Sequence, residues 1–481
     1  MHRKAENFSS WYSEVLLKAE LIDYYDISGC YILRPWAFSM WEVVQQDLDK
    51  RIKSMGVKNC YFPLFVSEGA LNAEKEHVEG FTPEVAWVTR SGSSNLTSPI
   101  AIRPTSETVI YPYMSKWIRS HRDLPLKINQ WCNVIRWEFK HPTPFLRTRE
   151  FLWQEGHTAH EKEEAARAEV LEVLDMYADV YKDLLAVPVI KGEKTRREKF
   201  AGADYTMSTE AFIPATGRGI QAATSHGLGQ NFAKIFKIEF ENESSQKCQV
   251  WQNCWGFTTR SLGIMIMLHG DDQGLVIPPR VAPVQVVLIP IMQEDCNAEQ
   301  MKSDLVRMEE ELKSRSVRTV IDDSSSRTPG WKYNHWEMKG VPLRLEYGPK
   351  DMQAGSVRLV RRDNRAKFDV SVEQLGEQVE KILQDIQQSL YESALRVQEE
   401  QTRKVTGLEE FMEAIGKGMM AVAPSCNREA CEEAVEQETD AMLGSLKALC
   451  IPSQQDEVAE GTRCFACDQP ATCHILWGKS Y

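Results

Sequence analysis

Arg136-Trp137-Glu138, then a loop containing His141-Pro142-Thr143-Pro144-Phe145, then Trp153-Gln154-Glu155-Gly156-His157 reads as two strands joined by a proline-bearing turn within residues 128–160. Strand side chains alternate, so Arg136 and Glu138 are expected on one face, as are Trp153, Glu155 and His157. The loop adds Arg147 and Arg149. Several guanidinium groups beside acids and aromatics suit a ligand that carries both phosphate and purine, because the planar fork pairs with phosphate oxygens and stacks on rings.

Moving outward from the hairpin, residues 9–25 read as a short amphipathic helix with Trp11, Val15 and Leu16 on one side. A strand at 30–33 follows. A helix over 36–55 is marked by Trp41, Val44, Leu48, Ile52 and Met55 and stopped by Gly56. Residues 60–66, with Pro63, read as a strand. Beyond the hairpin, 161–185 forms a long helix with Val170, Leu174, Tyr177 and Tyr181 inward. Strand-rich sequence then leads to Thr258-Thr259-Arg260 and an apolar helix beginning Gly263-Ile264-Met265. This order predicts an α+β fold on an antiparallel sheet, not a doubly wound one. Pro278-Pro279-Arg280-Val281-Ala282-Pro283 is a stiff linker. After it, strand and helix alternate (284–290, 298–313, 317–322, 330–338, 343–347) and strands 356–361 and 367–370 close a small α/β unit. The expected domains are 1–282, 283–378 and 379–481, the last an α+β unit with cysteines.

At 481 residues the chain exceeds one hydrophobic core. Its longest apolar stretch, near 284–292, is far short of a membrane span, and no apolar leader follows Met1, so a cytoplasmic protein with no membrane partner is expected. Most of its twelve cysteines are then expected to be reduced thiols or metal ligands. The net charge is −12, of which residues 371–481 contribute −11 and the first 370 residues −1. A near-neutral body with local basic clusters can still hold phosphates. Cys426-x4-Cys431 and Cys464-x2-Cys467 have the form of a tetrahedral zinc site, with Cys450, Cys473 and His474 nearby as competing ligands.

Taken together, these pieces resemble the class II aminoacyl-tRNA synthetases: the 36–66 helix and strand look like motif 1, the hairpin like motif 2, and Arg260 with its helix like motif 3. Arg103-Pro104-Thr105-Ser106-Glu107-Thr108, Phe200-Ala201-Gly202-Ala203-Asp204 and Gln221-Ala222-Ala223-Thr224-Ser225-His226 narrow the resemblance to the prolyl enzymes of archaeal and eukaryotic type, over essentially the whole chain. Proline and ATP would then form prolyl-adenylate, for transfer to the 3′ end of tRNA(Pro). The resemblance implies Arg136, Glu138 and Arg260 as catalytic residues. ATP would be held by Arg136, Glu138, Arg147, Thr148, Gln221, Thr224, Thr258 and Arg260, with Gln221 also serving magnesium. Proline would meet Thr105, Glu107, Arg136, Trp153, Glu155, His157, Phe200 and His226. Motif 1 implies a homodimer through residues such as Trp41, Leu48 and Pro63.

The α/β unit resembles the anticodon-binding domain of this class, with Glu346 and Lys350 as candidate base contacts and a basic cluster at Arg358, Arg361, Arg362, Arg365 and Lys367. A structural zinc at Cys426, Cys431, Cys464 and Cys467 is also implied, in a domain whose relatives end in a tyrosine, here Tyr481. Between motifs 2 and 3, where bacterial prolyl enzymes carry an editing domain, the roughly hundred residues present leave no room for one.

Overall fold

The computed structural model describes residues 1–77, 84–138, 140–293, 297–444, 446–467 and 469–481. Helix α1 (Phe8–Lys18) buries Trp11, Tyr12, Val15 and Leu16. Helix α2 (Pro35–Ser54) starts on a proline, whose missing N–H would lack a helical partner there anyway. The strand expected at 60–66 is instead two elements in two sheets: β1 (Lys58–Asn59) and a separate strand Phe65–Ser67. Pro63 lies between them and has no N–H to offer a ladder.

Helix α3 (Glu107–Trp117) leads into the hairpin of β2 (Leu126–Ile135) and β3 (Glu150–His160), which pair from Leu126↔Ala159 to Ile135↔Glu150. The ladder ends one residue before Arg136, so Arg136 and Glu138 are not on a strand as expected. The Arg136 N–H still reaches the Arg149 carbonyl, but the Trp137 N–H turns away to Glu84. The long helix is α4 (Glu163–Asp179), extended by a π-helical turn at Val180–Leu184. That wider turn carries Tyr181, whose hydroxyl donates to the Ala222 carbonyl at 3.0 Å.

Strands β4 (Ile190–Glu193), β5 (Tyr205–Ile213), β6 (Arg218–Gly229) and β7 (Trp251–Thr258) complete the antiparallel platform. Helix α5 (Arg260–His269) lies against it, with Leu262, Ile264, Met265, Ile266 and Met267 all buried. Each such side chain is worth roughly 1.5–3 kcal/mol of transfer free energy, which fixes Arg260 at the helix start.

The α/β unit contains β8 (Val286–Pro290), α6 (Ala298–Ser314), β9 (Thr319–Ile321), α7 (Pro329–Met338), β10 (Leu343–Tyr347), β11 (Ser356–Arg361) and β12 (Lys367–Ser371). Its sheet order is β9-β8-β10-β11-β12, with the first three strands parallel. Helix α8 (Leu375–Glu400) buries Leu375, Val379, Ile382, Leu383 and Ile386 in the core of that unit. Its later turns cross to the platform, where Gln387 donates to the Asp183 carbonyl and Gln398 to that of Pro188. A boundary at 378/379 would cut this helix in its first turn.

The C-terminal elements are β13 (Thr402–Lys404), α9 (Leu408–Gly416), β14 (Met420–Ser425), α10 (Glu429–Leu443), β15 (Leu446–Pro452) and β16 (Cys473–Ser480). They have no sheet of their own. One eleven-stranded sheet runs β13-β14-β16-β15-β4-β5-β6-β7-β3-β2-β1, joined where β15 pairs with β4 and where β16 touches β6.

Candidate active site and cysteine cluster

A cavity of about 300 Å³ opens on the central strands. The hairpin contributes Arg136, Thr148, Trp153, Glu155 and His157; β6 contributes Gln221, Thr224 and His226; Thr258 and Arg260 close the far side, and Thr105, Glu107 and Phe200 complete the wall. Two local devices make this possible. Gly156 is required because a Cβ there would sit 2.2 Å from the Trp255 ring. A bulge in the β5–β6 register, where Thr209 opposes Ala223 but Glu210 opposes Gln221, switches the alternation so that Gln221 shares the cavity with Thr224 and His226.

Beneath the cavity lies a buried polar network. Ser106, the N-cap residue of α3, donates from its hydroxyl to Glu155 (2.5 Å), as does the Gln130 amide (2.9 Å). The other Glu155 oxygen pairs with His157 Nε2 at 3.0 Å, and His157 Nδ1 meets the Tyr111 hydroxyl. Burial alone would raise the Glu155 carboxyl, but His157, Ser106 and Gln130 outweigh it and hold it below its ordinary range. Burial likewise opposes charge on His157, yet Glu155 and Glu107 raise its pKa, so the two form an ion pair. Thr105 donates to Glu107, which sits in the first turn of α3, where the helix dipole favours a carboxylate. His226 is the opposite case. Burial, with Arg136 and His157 adding to it, brings its pKa down to about 3, so the ring is neutral. It lies 4.7 Å from the Phe200 ring and contacts the Thr206 hydroxyl, which accepts the Phe200 N–H.

Among the described residues, Arg136 and Arg260 are held by carbonyls, not carboxylates. Arg136 donates to Pro104 O and lies over Phe151 and Trp153. Arg260 donates to Leu146 O and Gln221 O. Arg147 is exposed outside the cavity lining and donates to the main-chain oxygen of Tyr481. Glu138 is exposed and does not line the cavity, because the chain has left the ladder there. Sequence reasoning passed over Ser106, Gln130 and Thr206. Ser106 stood inside a quoted motif; Gln130 and Thr206 carry no local pattern.

Four sulfur atoms, of Cys426, Cys431, Cys464 and Cys467, lie within 4.8 Å of one another. Three of their separations are 3.6–3.8 Å, and a tetrahedron with Zn–S bonds of about 2.3 Å has edges of about 3.8 Å. The set therefore fits zinc. Cys467 is lowered to about 7: burial pushes it up, but a main-chain N–H, the neighbouring thiols and Arg428 outweigh that. Cys450 is buried against Gly192, and neither it nor Cys473 joins the cluster.

In the α/β unit, one Glu346 oxygen accepts from Arg344 at 2.9 Å, whereas Lys350 is exposed with no ion pair among the described residues. Missed in the sequence is a stack in which the Arg327 guanidinium lies 4.5 Å from the Trp331 ring, itself 4.9 Å from and nearly parallel to His335.

Residues 89–269 match the family model "tRNA synthetase class II core domain (G, H, P, S and T)", which gives the platform and its cavity their class: a class II aminoacyl-tRNA synthetase. Residues 285–382 match "Anticodon binding domain" and 408–481 match "Prolyl-tRNA synthetase, C-terminal". The chain is 55% identical over 479 residues to a cytoplasmic proline–tRNA ligase of Arabidopsis thaliana, covering 100% of this chain and 90% of that one. It is 49% identical over 494 residues to the bifunctional glutamate/proline–tRNA ligase of Mus musculus, covering 100% of this chain but 33% of that protein. A crystal structure of the prolyl-tRNA synthetase of Cryptosporidium parvum complexed with halofuginone and AMPPNP superposes with a TM-score of 0.97 at 53% identity, covering 100% of this chain and 99% of that one. The chain belongs to the prolyl-tRNA synthetase family, eukaryotic type.

Proposed function

We infer that this chain joins L-proline to ATP as prolyl-adenylate and passes the prolyl group to the 3′ end of tRNA(Pro), with the cavity residues and the exposed Arg147 in the following roles. A proline carboxylate oxygen attacks the α-phosphorus, the bond to the leaving pyrophosphate breaks, and a mixed anhydride forms. A ribose hydroxyl of the tRNA end then attacks the carbonyl and AMP leaves. No covalent enzyme intermediate is needed, so positioning and charge stabilisation carry the catalysis. Arg136 meets the charge that grows at the α-phosphate. Arg260 and Arg147 hold the nucleotide, with Thr148, Thr224 and Thr258 as polar partners. Thr105 and Glu107 accept from the secondary ammonium, and Trp153, Phe200 and neutral His226 wall the ring. The observation that carries this reading is that Arg136 and Arg260, without carboxylate partners among the described residues, line the same cavity as the buried Thr105–Glu107 pair.

Magnesium would enter on the ATP phosphates and neutralise charge on the leaving pyrophosphate. The Gln221 amide, which lines the cavity, would assist there, and Glu138 in the hairpin loop would help place ATP. Pyrophosphate exchange tests the whole reading: it should depend on proline, and equal exchange with threonine or glycine would overturn it.

The four-cysteine cluster would hold one structural zinc per chain, lost in Cys464→Ser; retention of metal by that variant would assign other ligands. A homodimer is expected, though not through Trp41 or Leu48, which are buried in the chain's own core. Tyr61, Phe65 and Trp117 are exposed near motif 1 and are available instead. A monomeric mass in light scattering at micromolar concentration would exclude that assembly. For tRNA, the α/β unit offers the carboxyl ends of β8, β9 and β10, where the β8-to-β9 and β9-to-β10 crossovers run in opposite directions along the sheet. Lys350 and the Arg327–Trp331 stack lie there, suited to phosphate and unpaired bases, with Glu346 as a further base contact. Residues 161–257 are filled by α4 and the β4–β7 segments, so alanyl-tRNA(Pro) should persist when incubated with this enzyme. We place the enzyme in the cytoplasm, like the Arabidopsis relative; no helix among the described residues is long and apolar enough to cross a membrane.

A further inference from the structure

The loop between β4 and β5 carries Phe200 and Glu198 into the cavity wall. Its far end is anchored within the platform: Phe200 N–H to Thr206, Ala203 N–H to Phe200 O, and Asp204 N–H to Gly227 O. Its near end is held by the C-terminal unit. The Thr195 hydroxyl donates to Glu432 at 3.0 Å, and Arg197 pairs with Glu436 at 3.2 Å. Lys447 bridges Glu198 at 3.0 Å and Glu436 at 3.1 Å. Glu432 and Glu436 lie one turn apart on α10, and Lys447 is on β15, so these partners of Thr195, Arg197 and Glu198 belong to the C-terminal unit, while Lys194 also pairs with Glu210 of β5 at 2.6 Å.

The three carboxylates Glu198, Glu432 and Glu436 lie close enough together to suggest a cation site. Two side-chain cations and a hydroxyl already serve them, so the cluster is a clasp between two parts of the fold. It is well placed for that task. Glu436 is only 11% exposed, which shields its pairs from solvent screening, and Glu198 links the clasp to the cavity two residues before Phe200.

We propose that Glu436, with Lys447 and Arg197, acts as a positioning residue set: through this clasp the C-terminal unit fixes the 194–204 loop and thereby sets the affinity of the cavity for the amino acid. The proposal rests on the reading of Phe200 as part of the proline wall. Among the described residues no hydrogen bond or ion pair joins the clasp to Arg136, Arg147 or Arg260, so its effect falls on one substrate.

Glu436→Gln keeps the shape of the side chain and removes its charge. In pyrophosphate exchange the KM for proline should rise roughly fivefold, about what a part-buried pair contributes, with the KM for ATP unchanged. Amide hydrogen exchange should accelerate in peptides covering 194–204 while β5 and β6 keep their protection. Glu436→Asp should recover most of both effects. An unchanged proline KM, a parallel rise in the two KM values, or unaltered exchange in the loop would overturn the proposal. If the unaltered enzyme shows no proline-dependent exchange, the functional reading fails instead, and the loop's hydrogen exchange still reports on the clasp.

Discussion

The arginines of the cavity and four of the α/β unit, Arg344, Arg358, Arg361 and Arg362, differ in what they already hold. Among the described residues, Arg136 and Arg260 donate only to main-chain carbonyls. In the α/β unit, Arg344 pairs with Glu337 and Glu346, Arg358 with Asp369, Arg361 with Asp363 and Arg362 with Asp271. A carbonyl orients a guanidinium without neutralising it, so the charge stays available to a phosphate. A carboxylate partner orients and neutralises at once. Most of the basic cluster read at 358–367 is therefore engaged by the fold, and Arg365 and Lys367 alone in it lack an ion pair among the described residues.

The comparison is most exposed at Arg136. Arg136→Ala should lower kcat/KM for exchange by about 10²–10³, or roughly 3–4 kcal/mol, in a protein that still folds. Near-normal exchange would mean that the uncommitted arginines are not the working ones. Next in size is Trp331→Ala, which should weaken tRNA in aminoacylation by about 1–3 kcal/mol if one base stacks there, leaving pyrophosphate exchange untouched. A loss in both assays would show that the stack supports the fold instead.

Arg362→Ala should act on stability and not on chemistry. The pair with Asp271 is bidentate, at 2.7 and 2.8 Å, and Arg362 is 3% exposed. Because Asp271 is 39% exposed, solvent screening reduces the loss to about 1–2 kcal/mol. Burial opposes the Asp271 charge, but Arg362 prevails and lowers its pKa below the ordinary aspartate value. Its stabilising contribution is thus fully present above the unfolded-chain value of about 4 and lost as pH falls through the lowered one. Thermal melts should show the variant losing this acid-dependent component; an unchanged profile would break the assignment. Smallest is Arg358→Ala, an exposed pair, which should leave both stability and exchange essentially unaltered. A large effect on tRNA charging would return Arg358 to the nucleic-acid surface.

How legible the molecule was depends on how far each pattern reaches along the chain. The shared face of Trp153, Glu155 and His157 could be read because alternation is local, and all three line the cavity. The strands of the α/β unit could be read because short apolar runs are bounded by turn residues. Only the placement of Glu138 on a strand misled, because period-two reasoning assumes the strand continues and the hydrogen-bond ladder ends at Ile135. Trp41 and Leu48 misled differently: a helical stripe says that a face is covered, not whether the cover is the same chain or another. The Ser106–Glu155–Gln130 network joins three elements and leaves no trace in any one of them. The union of β15 with β4 was hidden for the same reason.

That union has a price in time. Lys194 on the platform side holds the Leu449 carbonyl, 255 residues further along. At ribosomal rates of about 5–20 residues per second, roughly 13–50 s pass between synthesis of the one and of the other. During that interval the edge formed by β4 presents unpaired N–H and C=O groups, a template for pairing with any other strand. The newly made platform is therefore open to wrong strand pairing during that interval, and the last strands act as the cap that ends its exposure.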